Sequence, residues 1–114
     1  MPYPLSTAQA LHLWRDVGLT QVKDDEPDLS VRQMTILLSI YLEAPPHTVR
    51  GLAAELHVSK PVITRALDAM GKLGLVSRRR DESDRRNVLI QRTVGGSLFL
   101  ERLADLVSAK SGSL

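Results

Sequence analysis

With 114 residues, 43% of them hydrophobic, 4% aromatic and none cysteine, the chain suits one small domain with a core of Leu, Val, Ile, Ala and Met, and rules out disulfides, thiolate metal sites and thiol-based redox sensing. Its most apolar stretch, Ile36 to Leu42, is far too short to span a bilayer, and Met1-Pro2-Tyr3-Pro4 lacks the charged and apolar regions of a signal peptide, so a soluble cytoplasmic protein is expected. The net charge of +2 is unevenly spread: Met1 to Pro46 carries three cations against six carboxylates, whereas His47 to Arg92 carries ten against five, a basic middle that fits either nucleic-acid binding or a merely solvated face.

Ser6-Thr7-Ala8-Gln9 reads as a capping box, and Leu11, Leu13, Trp14 and Val17 continue it into an N-terminal helix over 6–22. The charged stretch from Lys23 to Asp28 contains Pro27 and is a loop. Ser30-Val31-Arg32-Gln33 is a second capping box. It opens a helix over 30–43 whose apolar residues, from Met34 to Leu42, lie nearly all round, the pattern of a buried helix. Ala44-Pro45-Pro46 ends it. Thr48 can cap a short third helix over Val49 to His57 with Leu52, Ala53 and Leu56 as its buried stripe, and His57-Val58-Ser59 forms a tight turn. Ser59 is a good N-cap for a fourth helix, with Pro61 in its first turn. Ile63, Ala66, Leu67, Met70 and Leu73 face the core, and Gly74 stands where a left-handed C-cap is expected. The period then changes. Leu75 to Arg80 and Asn87 to Arg92 read as two strands of a hairpin around the polar run Asp81 to Arg86. Thr93 caps a last helix over 93–109 carrying Leu98, Phe99, Leu100, Leu103 and Leu106, and the tail from Ser108 to Leu114 reads as frayed. The expected fold is a single domain over 1–114, mainly α with a small β-hairpin (α+β): a winged helix-turn-helix, with the helix-turn-helix at 48–74 and the wing at 75–92.

Two short helices joined by a tight turn and followed by a hairpin place the second helix to enter a DNA major groove, its N-terminal part nearest the bases. With Ile63, Leu67 and Met70 in the core, the opposite face presents Lys60, Pro61, Thr64, Arg65 and Asp68. Ser59 and Lys60 suit phosphates. Arg65 can make a bidentate contact to guanine, and Thr64 can reach a base edge or a thymine methyl, with Val62 at the groove edge. The alternative for Arg65 is a solvated helix residue. In the wing, Ser77-Arg78-Arg79-Arg80 leads in and Asp84-Arg85-Arg86 leads out, so Arg79, Arg80, Arg85 and Arg86 are candidate DNA contacts. Arginine at such a tip can enter a narrow minor groove. Asp84 would repel phosphate, so it is expected to brace the tip through a salt bridge to one of the strand arginines.

The run from Thr48 to Gly96 resembles the multiple-antibiotic-resistance regulator (MarR) family of bacterial transcription factors. The resemblance rests on Leu52-Ala53, Val58-Ser59, Leu73-Gly74-Leu75-Val76, Arg78-Arg79, the Asp84-x-Arg86 wing signature and Thr93-x-Gly95-Gly96. It implies a minor-groove role for Arg86, a bracing role for Asp84, and a homodimer reading a pseudo-palindromic site in double-stranded DNA, usually as a repressor. It leaves room for an effector, small molecule or protein, that the sequence does not identify. Relative to the family the terminal helices are shortened, the last to about sixteen residues before the Ser/Gly tail, and a final dimerisation helix is not visible. Leu100, Leu103, Leu106 and Val107 remain as a smaller dimer surface, with Trp14, Leu11 and Leu5 from the N-terminal side, although Trp14 fits intrachain packing slightly better. No cofactor, metal site, membrane partner or enzymatic motif is expected: His12, His47 and His57 lack ligand spacing, and Asp24-Asp25-Glu26 with Asp28 does not continue as an EF-hand. The competing functional class is a winged helix that docks proteins, which would not need Arg65 and a basic wing.

Overall fold

The computed structural model describes residues 4–114. Met1-Pro2-Tyr3, read above for a signal peptide, lies outside the described residues. The elements follow in the order α1 (Thr7–Lys23), α2 (Val31–Leu42), β1 (His47–Thr48), α3 (Val49–Leu56), α4 (Lys60–Lys72), β2 (Val76–Arg80), β3 (Val88–Arg92) and α5 (Val94–Gly112). They group into two compact units, Leu29–Leu100 and a second made of the residues up to Asp28 with Glu101–Leu114. Among the described residues no helix is long and apolar enough to cross a membrane.

The larger unit is organised around one core. Ile36, Leu37 and Ile40 of α2 meet Leu52 and Ala53 of α3, and Ile63, Ala66, Leu67 and Met70 of α4. The last four are spaced to fall on one helical face. Leu75, Val76 and Ile90 close the core from the sheet side, and Phe99 from α5. The all-round apolarity of α2 overstates its burial: Val31 and Leu42, at its first and last positions, are exposed. Only the middle of the helix lies within the packed layer. Leu73 is likewise half exposed, because it is the C-cap of α4 and lies past the last turn that packs.

Local chemistry fixes the element ends. At α2, Ser30 Oγ accepts the Gln33 N–H (3.0 Å) while Gln33 Oε1 accepts the Ser30 N–H (2.8 Å). The same reciprocal pair starts α1 at Ser6 and Gln9. These bonds satisfy N–H groups that have no partner within the helix. At the far end of α4, Gly74 takes φ +75°, its N–H donates to Gly71 O, and the Leu75 N–H donates to Met70 O. That Schellman closure turns the chain into the wing. His57, also left-handed at φ 55°, closes α3 in the same manner, with the Val58 N–H on Ala53 O.

The sheet has the order β1-β3-β2, all antiparallel, so the expected hairpin carries a third strand. β1 is two residues long, His47 against Ile90 and Thr48 against Leu89. A pair of residues between Pro46 and α3, the second of them the helix cap, shows no period from which a strand could be read. β2 and β3 pair from Val76↔Arg92 to Arg80↔Val88. The base of this wing is clamped to α2. Arg92 donates from Nε to Ile40 O (2.9 Å) and from Nη2 to Glu43 O (3.0 Å), and lies over the Tyr41 ring. Tyr41 Oη accepts the Thr93 N–H (2.9 Å) and donates to Leu75 O (2.8 Å). Thr93 Oγ1 in turn accepts the Gly96 N–H and donates to Gly74 O.

In the smaller unit, Glu26 and Arg102 pair at 3.2 Å and Val17 is buried. Trp14, which fitted intrachain packing, is instead 79% exposed, as are Leu11 and Val22 on the same stretch of α1 at 66% and 78%. α5 runs to Gly112, beyond the expected end, so most of the Ser/Gly tail is helical. Its Leu103 and Leu106 are half-buried rather than free, and within the larger unit Leu100 packs against the core.

Candidate nucleic-acid interface

The amphipathic pattern of α4 divides the helix into two faces. Ile63, Ala66, Leu67 and Met70 are turned inward, which leaves Lys60, Pro61, Thr64 and Arg65 exposed and Val62 half-buried. Ser59 holds the extended N-cap conformation expected of it, but its side chain makes no cap bond. Its hydroxyl is therefore not committed to the helix. Among the described residues Arg65 is tied only by a long 3.4 Å contact from Nε to Pro61 O, one turn back. Together with the N-cap Ser59, the exposed face of α4 thus offers two cations, two hydroxyls and a proline.

Asp68 is not a free member of that face. Its Oδ1 accepts from Arg78 Nη2 at 2.7 Å, joining α4 to β2. With the two side chains 51% and 35% exposed, such a pair contributes under about 1 kcal/mol to stability. Its geometric effect is to fix the base of the wing against the helix. The period of two in β2 then sends Arg79 to the other side of the sheet. There it lines an open cleft with Pro45, Pro46, His47 and Leu89, apart from the other candidate contacts.

The wing tip is built on its own backbone. Asp81 Oδ1 accepts from the N–H and the hydroxyl of Ser83, and these bonds hold its carboxyl below the ordinary aspartate range. The Asp81 N–H donates to Asn87 O and the Asn87 N–H to Asp84 O. Arg80 Nη1 reaches the Arg85 carbonyl at 2.7 Å. Arg85 faces Glu82 at 3.7 Å with both groups largely in solvent.

The partner of Asp84 is a turn arginine and not one of the strand arginines expected. Arg86 Nε donates to Asp84 Oδ1 (2.9 Å), Nη2 to Oδ2 (3.0 Å), and the Arg86 N–H to Oδ1 (3.2 Å). The strand arginines are engaged elsewhere: Arg78 by Asp68, Arg80 by a carbonyl. The side-chain bond from Arg86 is the main cause of a lowered Asp84 pKa, helped by the Arg86 N–H and by the charge of Arg50; the same bond raises Arg86. The bidentate fork presets the Arg86 guanidinium plane while leaving 82% of the side chain exposed.

The structure therefore gathers Ser59, Lys60, Pro61, Thr64 and Arg65 on one exposed face, and Asp84, Arg85 and Arg86 at one tip with Arg80 supporting the tip backbone. Three features escape the sequence reading. The Asp68–Arg78 bridge joins residues ten apart on different elements. The Tyr41–Arg92 clamp spans about half the chain. Arg50 had a local signal, a cation in the first turn of a helix, where the dipole disfavours it.

The sequence profile of the MarR family matches residues 29–88. The organic hydroperoxide resistance transcriptional regulator of Bacillus subtilis is 32% identical over 82 residues, which are 72% of this chain and 55% of that protein. The chain thus spans about half the length of this curated relative. A mutant of MarR from E. coli complexed with operator DNA superposes with a TM-score of 0.69 at 27% identity, covering 92% of this chain and 69% of that one. CouR from Rhodococcus jostii bound to p-coumaroyl-CoA gives 0.65 at 29% identity, covering 91% and 71%.

Proposed function

The chain belongs to the MarR family, and from that premise we propose that it is a sequence-specific repressor of transcription that binds double-stranded DNA in the cytoplasm as a homodimer. The family and the matched relatives are transcriptional regulators, not enzymes. The observation that carries the reading is the pairing of two preset elements: the exposed N-terminal half of α4, and a wing tip whose Arg86 fork is held by Asp84.

In this reading α4 lies in the major groove. Ser59 and Lys60 meet phosphates, Pro61 and Thr64 face base edges and thymine methyls, and Arg65 reads guanine O6 and N7. Arg86 enters the adjacent minor groove with Arg85 beside it, while Arg80 supports the tip and Arg79 adds positive potential. The dimer is supported by the stripe Leu11, Trp14 and Val22, which α1 exposes on one side. The solved CouR carries p-coumaroyl-CoA, and we infer that this chain also answers to an effector. None of these 114 residues is a cysteine, so none of them can carry that response by thiol oxidation.

A selection of genomic duplexes at low salt tests the function. Arg65→Ala is expected to weaken the selected site by about 1–3 kcal/mol and non-specific duplex far less. Arg86→Ala should weaken sites with A/T-rich flanks most. If no duplex is selected, and a protein partner is captured whose binding ignores both substitutions, the chain is a docking module instead.

A further inference from the structure

We propose that Arg50, in the first turn of α3, is a further DNA contact that holds a backbone phosphate beside the groove entered by the wing. This rests on the DNA-binding reading above and extends it to a residue outside both the recognition helix and the wing.

The register of the sheet places Arg50. β1 runs antiparallel to β3, with His47 against Ile90 and Thr48 against Leu89. The chain leaving Thr48 therefore advances along β3 toward Val88, the end at which the wing tip begins. Thr48 then caps α3 through Oγ1 and the Gly51 N–H, at 3.0 Å. Arg50 is thus set on the tip side of the wing while belonging to the first helix of the helix-turn-helix. That helix is the one that crosses the DNA backbone in this class of motif.

The fold supplies no reason of its own for a cation at this position. A positive charge in the first turn opposes the helix dipole, and α3 has no acidic residue there to offset it. The side chain is exposed, and among the described residues it forms no ion pair within 4 Å. The acid that feels its charge is Asp84, whose two oxygens are already occupied by Arg86. The guanidinium consequently keeps its donors free for an oxyanion. It extends the cationic surface of Arg85 and Arg86 from the wing onto the helix-turn-helix. A phosphate supplies the negative charge that this first turn lacks.

The experiment compares the wild type with Arg50→Ala, Arg50→Gln and Arg50→Lys on the selected duplex and on an unrelated one, across a salt series, with thermal melting as the control for folding. One lost phosphate contact lowers the salt slope by roughly 0.9, which weakens binding about eightfold at about 0.1 M salt. The expected result is that Ala and Gln both show this loss equally on the two duplexes, that Lys restores the slope, and that melting is unchanged or raised. Wild-type affinity and slope in Ala and Gln would overturn the inference. So would a loss confined to A/T-rich flanks with an unaltered slope, because Arg50 would then act only through Asp84 and Arg86. Failure of the wild type to bind any duplex is a separate result, and it removes the DNA-binding reading itself.

Discussion

Gly96 shows how narrowly a single residue can be specified. A Cβ added there would overlap both Tyr41 Oη and the Leu75 carbonyl. The carbonyl is main chain and cannot swing aside, so the strain must spread into α5 or the α4–β2 turn. Gly96→Ala is therefore expected to destabilise the fold by about 3 kcal/mol, at the upper end for overpacking. Gly18, in the middle of α1, is the control, since a Cβ there meets nothing within 4 Å. Gly18→Ala should instead stabilise by about 0.5–1 kcal/mol, as for any unstrained helix-interior glycine. Denaturant midpoints of the two variants test the contrast, and shifts of the same sign would refute it. Gly95 is an intermediate case, with its virtual Cβ at 2.9 Å from Gly74 O.

At the scale of elements, the wing makes a prediction in pH. Asp84 is held below the ordinary aspartate value, first by the guanidinium of Arg86 and then by its N–H. Because the folded value lies below the unfolded one, the brace contributes fully above the unfolded pKa and is lost as pH falls through the folded one. The tip is thus braced throughout the neutral range. The Asp84 carboxyl carbon should titrate below 3.8 by NMR, with the Arg86 Nε–H signal following it, and Arg86→Lys should move it back up. A midpoint at or above 3.8 in the wild type would contradict the bidentate brace. The wing also shows which parts of the fold were legible. Capping boxes at Ser6 and Ser30, proline stops and the Gly74 turn act within a few residues, so their chemistry is written locally. The helix-turn-helix and hairpin follow from those signals and the change of period. β1 was not legible because two residues have no period. The partner of Asp84 was not legible because five arginines lie within reach along the chain, and only the backbone geometry of the turn selects Arg86.

For the whole molecule, the described structure gives α1 more apolar exposure than a solitary helix needs. Leu11 and Trp14 were open to two readings in the sequence because an apolar stripe looks the same whether it faces its own chain or another. With Trp14 exposed, it becomes the natural reporter of self-association, being the single tryptophan of the chain. Its emission should be that of a hydrated indole at low concentration and shift to shorter wavelength as dimers form, with Trp14→Glu remaining at monomer mass by light scattering. A constant spectrum together with monomer mass at every concentration would rule out this surface. The Tyr41 hydroxyl has a broader consequence. Leu75 and Thr93, its two bonding partners, stand immediately before and immediately after the wing. One oxygen atom thus fastens both feet of the hairpin to α2, as a hinge pin holds the two leaves of a hinge. With Arg92 bonded to α2 and Arg78 to Asp68 of α4, that pin makes the base the fixed end of the wing, so any displacement of the blade is expected at its tip.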